Sequence, residues 1–139
     1  MGLFDKYRLK KAGNGRYFEK DGLRFAIGID FVINMTKEYN RLNSCNATID
    51  EAIAKCLGQE KLTVDSIELI QLAVLCSLNT QFDADSKDKV NIDFVKDLFN
   101  KKGFVYVGEI LLNLRLSVVS LLKGDEALEL DENQVKKKG

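Results

Sequence analysis

The side chains of this sequence that could carry chemistry are three cysteines (Cys45, Cys56 and Cys76), four serines in helical patterns (Ser66, Ser77, Ser117 and Ser120) and three carboxylate pairs, Asp50-Glu51, Asp83/Asp85 and Asp125-Glu126. A serine or thiol nucleophile needs a neighbouring base, most often histidine, and the chain contains no histidine. Its absence also removes the commonest metal ligand. No serine stands in a nucleophile-elbow motif. No C-x-x-C occurs and the cysteine count is odd, which argues against a zinc site or a disulfide framework. The carboxylate pairs read as helix caps or solvated charges, the ordinary state of such residues. Asp83-Ala-Asp85-Ser-Lys87-Asp88 has the look of an acidic calcium loop, but Asp88 and Phe94 stand where that motif requires Gly and Glu. Gly13-Asn14-Gly15 follows no strand and opens no helix, so it is no dinucleotide fingerprint. Asn46-Ala-Thr48 matches a glycosylation acceptor, yet Thr48 already reads as a helix cap. The expectation is a chain with no enzymatic activity and no cofactor.

The elements that would position these residues are mainly helices. Asp21-Gly22 separates Arg16-Tyr-Phe-Glu-Lys20 from Leu23-Arg-Phe-Ala-Ile27. Asp-Gly tolerates positive φ at both central turn positions, so residues 16–27 read as a hairpin with a type I′ turn. From residue 28 the period becomes helical. Ile29, Val32, Met35, Tyr39 and Leu42 line one face, joined by Phe31, and the spacing predicts a helix over 28–43. Thr48-Ile-Asp-Glu51 is a capping box for a second helix that ends before Gly58. Asp65-Ser-Ile-Glu68 reads as the start of a third, apolar on nearly every side to Asn79 and therefore central. A polar, acidic loop fills 80–91. A short helix over 92–102 stops at Gly103 and a last helix over 105–123 stops at Gly124. The fold expected is mainly α: a bundle of about five helices behind a short N-terminal hairpin, one domain over 1–124, with a charged, flexible tail over 125–139.

Composition narrows the class further. With 139 residues, 45% hydrophobic and 30% charged, the chain is long enough for one core. Its 21 basic residues balance 21 acidic ones, whereas nucleic-acid binders usually carry a basic excess. The N-terminus lacks the apolar core of a secretory signal. Lys6 stands where myristoylation wants Ser or Thr. No stretch is read as approaching the ~20 apolar residues that span a bilayer. A reducing interior is the expected compartment, and no membrane partner is expected.

Two features suggest a binding surface. In the last helix, Glu109, Asn113, Ser117 and Ser120 form a narrow polar stripe beside a broad apolar face of Ile110, Leu111, Leu114, Val118, Leu121 and Leu122. Across that stripe lies a second ridge, Leu112, Leu116 and Val119. Either the helix is buried all round, or this ridge meets another chain, since large exposed apolar patches mark interaction sites. Charge is also uneven. Up to residue 24 there are seven basic residues, Lys6, Arg8, Lys10, Lys11, Arg16, Lys20 and Arg24, against three acidic ones. Residues 125–132 carry only acidic charges, among them Asp125, Glu126, Asp131 and Glu132. Lys6, Arg8, Lys10 and Lys11 and these four carboxylates are the candidate electrostatic contacts. Opposed ends suit a head-to-tail contact that builds a ring or a spiral; the alternative is neutralisation within one chain, or plain solubility.

The order of elements over about 16–123, with Gly22-Leu-Arg-Phe-Ala-Ile-Gly-Ile-Asp-Phe-Val-Ile-Asn-Met leading from strand into amphipathic helix, then a Thr-Ile-Asp-Glu helix, a long apolar helix, an acidic break and two more helices, resembles the tail assembly chaperones of phages with long, non-contractile tails, particularly those of Gram-positive hosts. The resemblance implies a homo-oligomeric, non-structural protein of the infected cell's cytoplasm. It would bind and solubilise the tape measure protein during tail morphogenesis and be absent from the mature virion. It also implies a longer product made by a ribosomal frameshift near the stop codon, for which the codons of Lys136-Lys137-Lys138 could supply a run of A. The alternative from another class is a small helical regulator that binds nucleic acid, with Lys6, Arg8, Lys10, Lys11 and Arg16 on phosphates.

Overall fold

The computed structural model describes residues 17–83 and 85–123. Strands β1 (Tyr17–Lys20) and β2 (Leu23–Ala26) form an antiparallel hairpin with Phe18 opposite Phe25 and Lys20 opposite Leu23. Asp21 and Gly22 take φ of 51° and 82°, the positive values a type I′ turn demands. The Phe18 and Phe25 rings stack with centroids 4.9 Å apart. Phe25 is fully buried. A two-stranded hairpin is marginal alone in water, and this one is sewn to a helix by its outer edge. Ser77 Oγ donates to the Ala26 carbonyl and Gln81 Nε2 to the Arg24 carbonyl, both at 2.7 Å.

Four helices follow: α1 (Ile29–Asn43), α2 (Ile49–Leu57), α3 (Val64–Thr80) and α4 (Ile92–Lys123). In α1 the buried side is Phe31, Val32, Met35 and Thr36, whereas Ile29 and Leu42, expected on the core face, are exposed at its two ends. Ser44, at φ 49°, ends the helix in the left-handed region. The Thr48/Glu51 capping box forms as expected. In α3 the cap, Thr63, lies two residues earlier than the sequence reading put it. Thr63 accepts from the Ser66 backbone and Ser66 Oγ accepts from the Thr63 backbone, so the helix begins at Val64 rather than Asp65. A serine at the third position can play the part of the usual Glu or Gln.

Helix α3 is the core of the molecule and packs against β2, α1, α2 and α4. Ile70, Ala73 and Val74 are fully buried. Between α3 and α4 the chain is braced by Asn79, whose Nδ2 donates to the Val90 carbonyl at 2.7 Å while its Oδ1 accepts from the Val90 N–H at 2.8 Å.

The two last predicted helices form one element, so the described residues hold four helices rather than about five. Gly103 was read as a stop, and its backbone does leave helical geometry, with φ 82° and ψ −179°. The chain makes a kink there and resumes its helix at once. That combination of angles is open essentially to glycine alone. The predicted tail over 125–139 and the basic N-terminal segment lie outside the described residues.

Candidate protein-binding face

The C-terminal limb of α4 is fixed to the rest of the fold by its polar side chains. Glu109 pairs with Lys20 beside the hairpin turn. Lys102 Nζ lies 3.6 Å from Asp21 Oδ2. Between these two ion pairs sits Tyr106, with the Lys20 and Lys102 ammonium groups 5.4 Å and 5.7 Å from its ring centre. Burial, and next the Asp21 charge, push the Tyr106 hydroxyl up to about 12. Further along, Arg115 donates to the Leu57 carbonyl at the C-terminal end of α2, where helical carbonyls lack partners of their own, and to the Gln59 carbonyl just beyond it. The limb therefore runs from the hairpin turn to the α2–α3 junction. It buries Tyr106, Val107, Ile110, Leu111, Leu114 and Val118 against the core.

Its opposite side is apolar and open. Leu112 is 54% exposed, Leu116 59% and Val119 43%. The chain adds two residues that the sequence reading passed over, Phe104 at 67% and Val105 at 77%. Spacings of seven, four and three from Val105 through Leu112 and Leu116 to Val119 keep these side chains within a sector of about 60° at 100° per residue. Gly108 lies on the same side, and a Cβ placed there would meet nothing within 4 Å. The i, i+7 relation between Val105 and Leu112 is visible in the sequence. It was hidden by reading Gly103 as an end, which put 104 and 105 at a helix start.

The predicted electrostatic residues Lys6, Arg8, Lys10, Lys11, Asp125, Glu126, Asp131 and Glu132 lie outside the described residues. Two other members of the basic N-terminal group are used within the chain. Lys20 holds Glu109, and the buried Arg24 donates to Glu19 at 2.8 Å with its guanidinium 4.0 Å from the Tyr17 ring centre.

Among the described residues no group of His, Cys, Asp or Glu is arranged to hold a metal ion. Burial pushes the Cys56 and Cys76 thiols up to about 12, so neither offers a thiolate at neutral pH. Cys45 is exposed and contacts Asn40 Oδ1 at 3.3 Å.

One expectation needs correction. Ile92–Leu121 is long and apolar enough to cross a membrane by length and composition, and 33% of its apolar window is buried within the fold. Glu109 and Arg115 interrupt that run: Arg115 turns to backbone carbonyls of the fold, and the half-exposed Glu109 pairs with Lys20 at the edge of the ridge. Comparison with protein-family models, with curated proteins and with solved structures finds no match.

Proposed function

We propose that this chain is a phage tail assembly chaperone that binds and solubilises the tape measure protein, and that the outward face of α4 is where an apolar helical client lies. One observation carries the reading: a single helix offers Val105, Leu112, Leu116 and Val119 to solvent along one side while its other side is locked into the core. An amphipathic or apolar helix is the natural occupant of such a surface, anchored at i, i+3, i+4 and i+7 positions. The resemblance in element order names the client, a long helical tape measure protein that needs many small partners. The residues that would serve a nucleic-acid regulator, Lys6, Arg8, Lys10, Lys11 and Arg16, lie outside the described residues, and the balance of 21 basic and 21 acidic residues gives that reading no basic excess.

The first test is whether a long helical protein is encoded beside this gene, and the second is co-expression with it. That protein should stay soluble and co-purify with the wild-type chain, and its soluble yield should fall severalfold with Leu112→Asp. Equal solubility with and without the chain would end the proposal. Binding of the wild-type chain to neutral lipid vesicles with no effect on the client would assign the stripe to a membrane instead.

A further inference from the structure

Gly22 and Gly103 take positive φ, both 82°, and a Cβ on Gly58 would strike the Ala54 carbonyl oxygen at 2.6 Å. Gly108 has neither reason to be a glycine. It lies inside α4 without positive φ, it is exposed, and a Cβ placed on it meets nothing within 4 Å. Glycine inside a helix is less favourable than alanine, because its unfolded chain has more freedom to lose. The fold alone would favour alanine at 108. What the missing side chain makes room for therefore lies outside the fold.

The neighbours of Gly108 define that room. On a helix, residues at i, i+3, i+4 and i+7 surround a hole that accepts one side chain of a facing helix. Val105, Gly108, Glu109 and Leu112 stand in that relation. Val105 and Leu112 are exposed and apolar, and the Glu109 carboxylate is paired with Lys20. The fourth corner is bare backbone. One heptad on, Arg115 takes the place of Gly108 in the hole formed with Leu112, Leu116 and Val119, so the hole at Gly108 is the deeper of the two. Val105, Leu112 and Val119 recur every seven residues. That period keeps a second, nearly parallel helix in register along a contact of about 21 Å, and it serves no strand or loop. We propose that Gly108 is the floor of a socket that selects client helices carrying a large apolar side chain, leucine, methionine or phenylalanine, at the point of closest approach.

The socket belongs to the α4 face assigned above to the client and rests on that assignment; it adds which helices the face accepts. Alanine at 108 puts a methyl group where the incoming side chain would end. An interface packed like a protein interior absorbs an added carbon only by shifting side chains or backbone. A client helix with alanine at the same point leaves the socket unfilled and forgoes its contacts. Gly108→Ala thus acts in opposite directions on two properties, strengthening the isolated chain and weakening its complex with a large-residue helix. A lipid surface moulds itself to either residue and would not register the change.

The experiment uses the full chain and two fluorescent helical peptides of three heptads. One carries leucine at every a and d position, the other leucine at a and alanine at d, and each is kept below the concentration at which it self-associates. Anisotropy reads binding, and urea unfolding followed by circular dichroism reads stability. Wild type should bind the leucine peptide about tenfold or more tighter than the alanine peptide. Gly108→Ala should raise the urea midpoint, weaken binding of the leucine peptide about tenfold or more and leave the alanine peptide's binding unchanged, so that the preference disappears. Leu112→Asp should bind neither peptide. If Gly108→Ala binds the leucine peptide as tightly as wild type while Leu112→Asp does not bind it, the socket is overturned and the α4 face stands. If Leu112→Asp binds as wild type does, both fall. A wild type that binds neither peptide or does not distinguish them, or a urea midpoint lowered by Gly108→Ala, would also overturn the socket.

Discussion

Replacing Leu116 with aspartate separates the binding role of the α4 face from its structural role. Leu116 is 59% exposed, so covering it with a client removes about that share of its surface from water. Full burial of a leucine is worth about 1.5–3 kcal/mol, so the contact contributes about 1–2 kcal/mol. Aspartate forfeits that contribution and adds the cost of drying an unpaired carboxylate, a few kcal/mol in an apolar interface. The combined loss exceeds about 3 kcal/mol, more than a hundredfold in affinity. Within the isolated chain the same change costs about 1–2 kcal/mol, from helix propensity and from the share of Leu116 that the fold already covers. Leu114→Asp provides the contrast, because Leu114 is fully buried and its replacement should unfold the protein. Titration calorimetry against the purified client segment measures the first effect, and urea unfolding followed by circular dichroism measures the second. If Leu116→Asp lowers the urea midpoint as Leu114→Asp does, residue 116 belongs to the core. If it folds normally and binds the client as tightly as wild type, the client lies elsewhere.

Gly103→Ala should destabilise the chain by about 1–3 kcal/mol in urea unfolding, since φ 82° with ψ −179° is strained for any residue with a Cβ even though the space around it is open. An unchanged midpoint would mean that the kink relaxes freely. Arg115→Ala removes the donors to the Leu57 carbonyl at the end of α2 and to the Gln59 carbonyl just beyond it, and should cost about 1–3 kcal/mol, with the largest loss of hydrogen-exchange protection at the α2–α3 junction. Burial raises Cys56 and Cys76 from 9.0, and Tyr106 from 10.0, to about 12, so between those values the native chain keeps protons that the unfolded chain releases. The stability these groups contribute is complete below about pH 9 and is lost as pH rises toward 12, so the urea midpoint should fall across that range; a flat profile would contradict it.

The hairpin, the class of fold and four of the helix positions were legible because each is fixed by local rules. Asp21-Gly22 suits a turn with two positive φ values, and Thr48 with Glu51 closes a capping box from within four residues. Where two local signals competed, the reading slipped. Asp65 looks like a cap, but Thr63 and Ser66 satisfy each other first. Gly103 carries the usual mark of a helix end, yet a glycine can also turn the axis and let the helix continue. Whether it ends or bends the helix depends on what waits beyond. Here Tyr106, Val107 and Ile110 find a place in the core and the hairpin turn supplies charges for Lys102 and Glu109. Those contacts join residues far apart in the sequence, Lys20 with Glu109 and Asp21 with Lys102, so no local pattern could announce them. A groove between α1 and α3 was unreadable for the same reason. Asn34 and Lys37 belong to one amphipathic helix, Leu75 and Asn79 to another, and only packing brings them to one opening.

The exposed ridge follows from how the polar residues of α4 are allotted. A helix apolar on two sides normally sinks into a core or carries charges that interrupt its outer side. Glu109 and Arg115 are the only ionised side chains between Phe104 and Leu121. Each has a partner on this chain, Glu109 in a surface ion pair with Lys20 and Arg115 with the Leu57 and Gln59 carbonyls. Ser117 turns its hydroxyl back to the Asn113 carbonyl at 2.7 Å. The polar groups thus serve to orient the limb against the hairpin and α2, and Glu109, paired with Lys20, is the charge that borders the line from Val105 to Val119. Had stability alone shaped this helix, an exposed Lys or Glu at residue 112 or 116 would fit as well as leucine, since helix propensities there differ by only tenths of a kcal/mol and an exposed leucine gains little from the fold. Leucine at both positions, and valine at 105 and 119, contribute when something apolar covers them. Because Lys20 holds the helix through Glu109, Lys20→Ala should loosen the orientation of the face and weaken client binding while leaving Leu112 and Leu116 chemically intact. The measurement is client affinity beside hydrogen exchange at residues 104–112, and affinity unchanged with exchange accelerated would show that the face binds without being held.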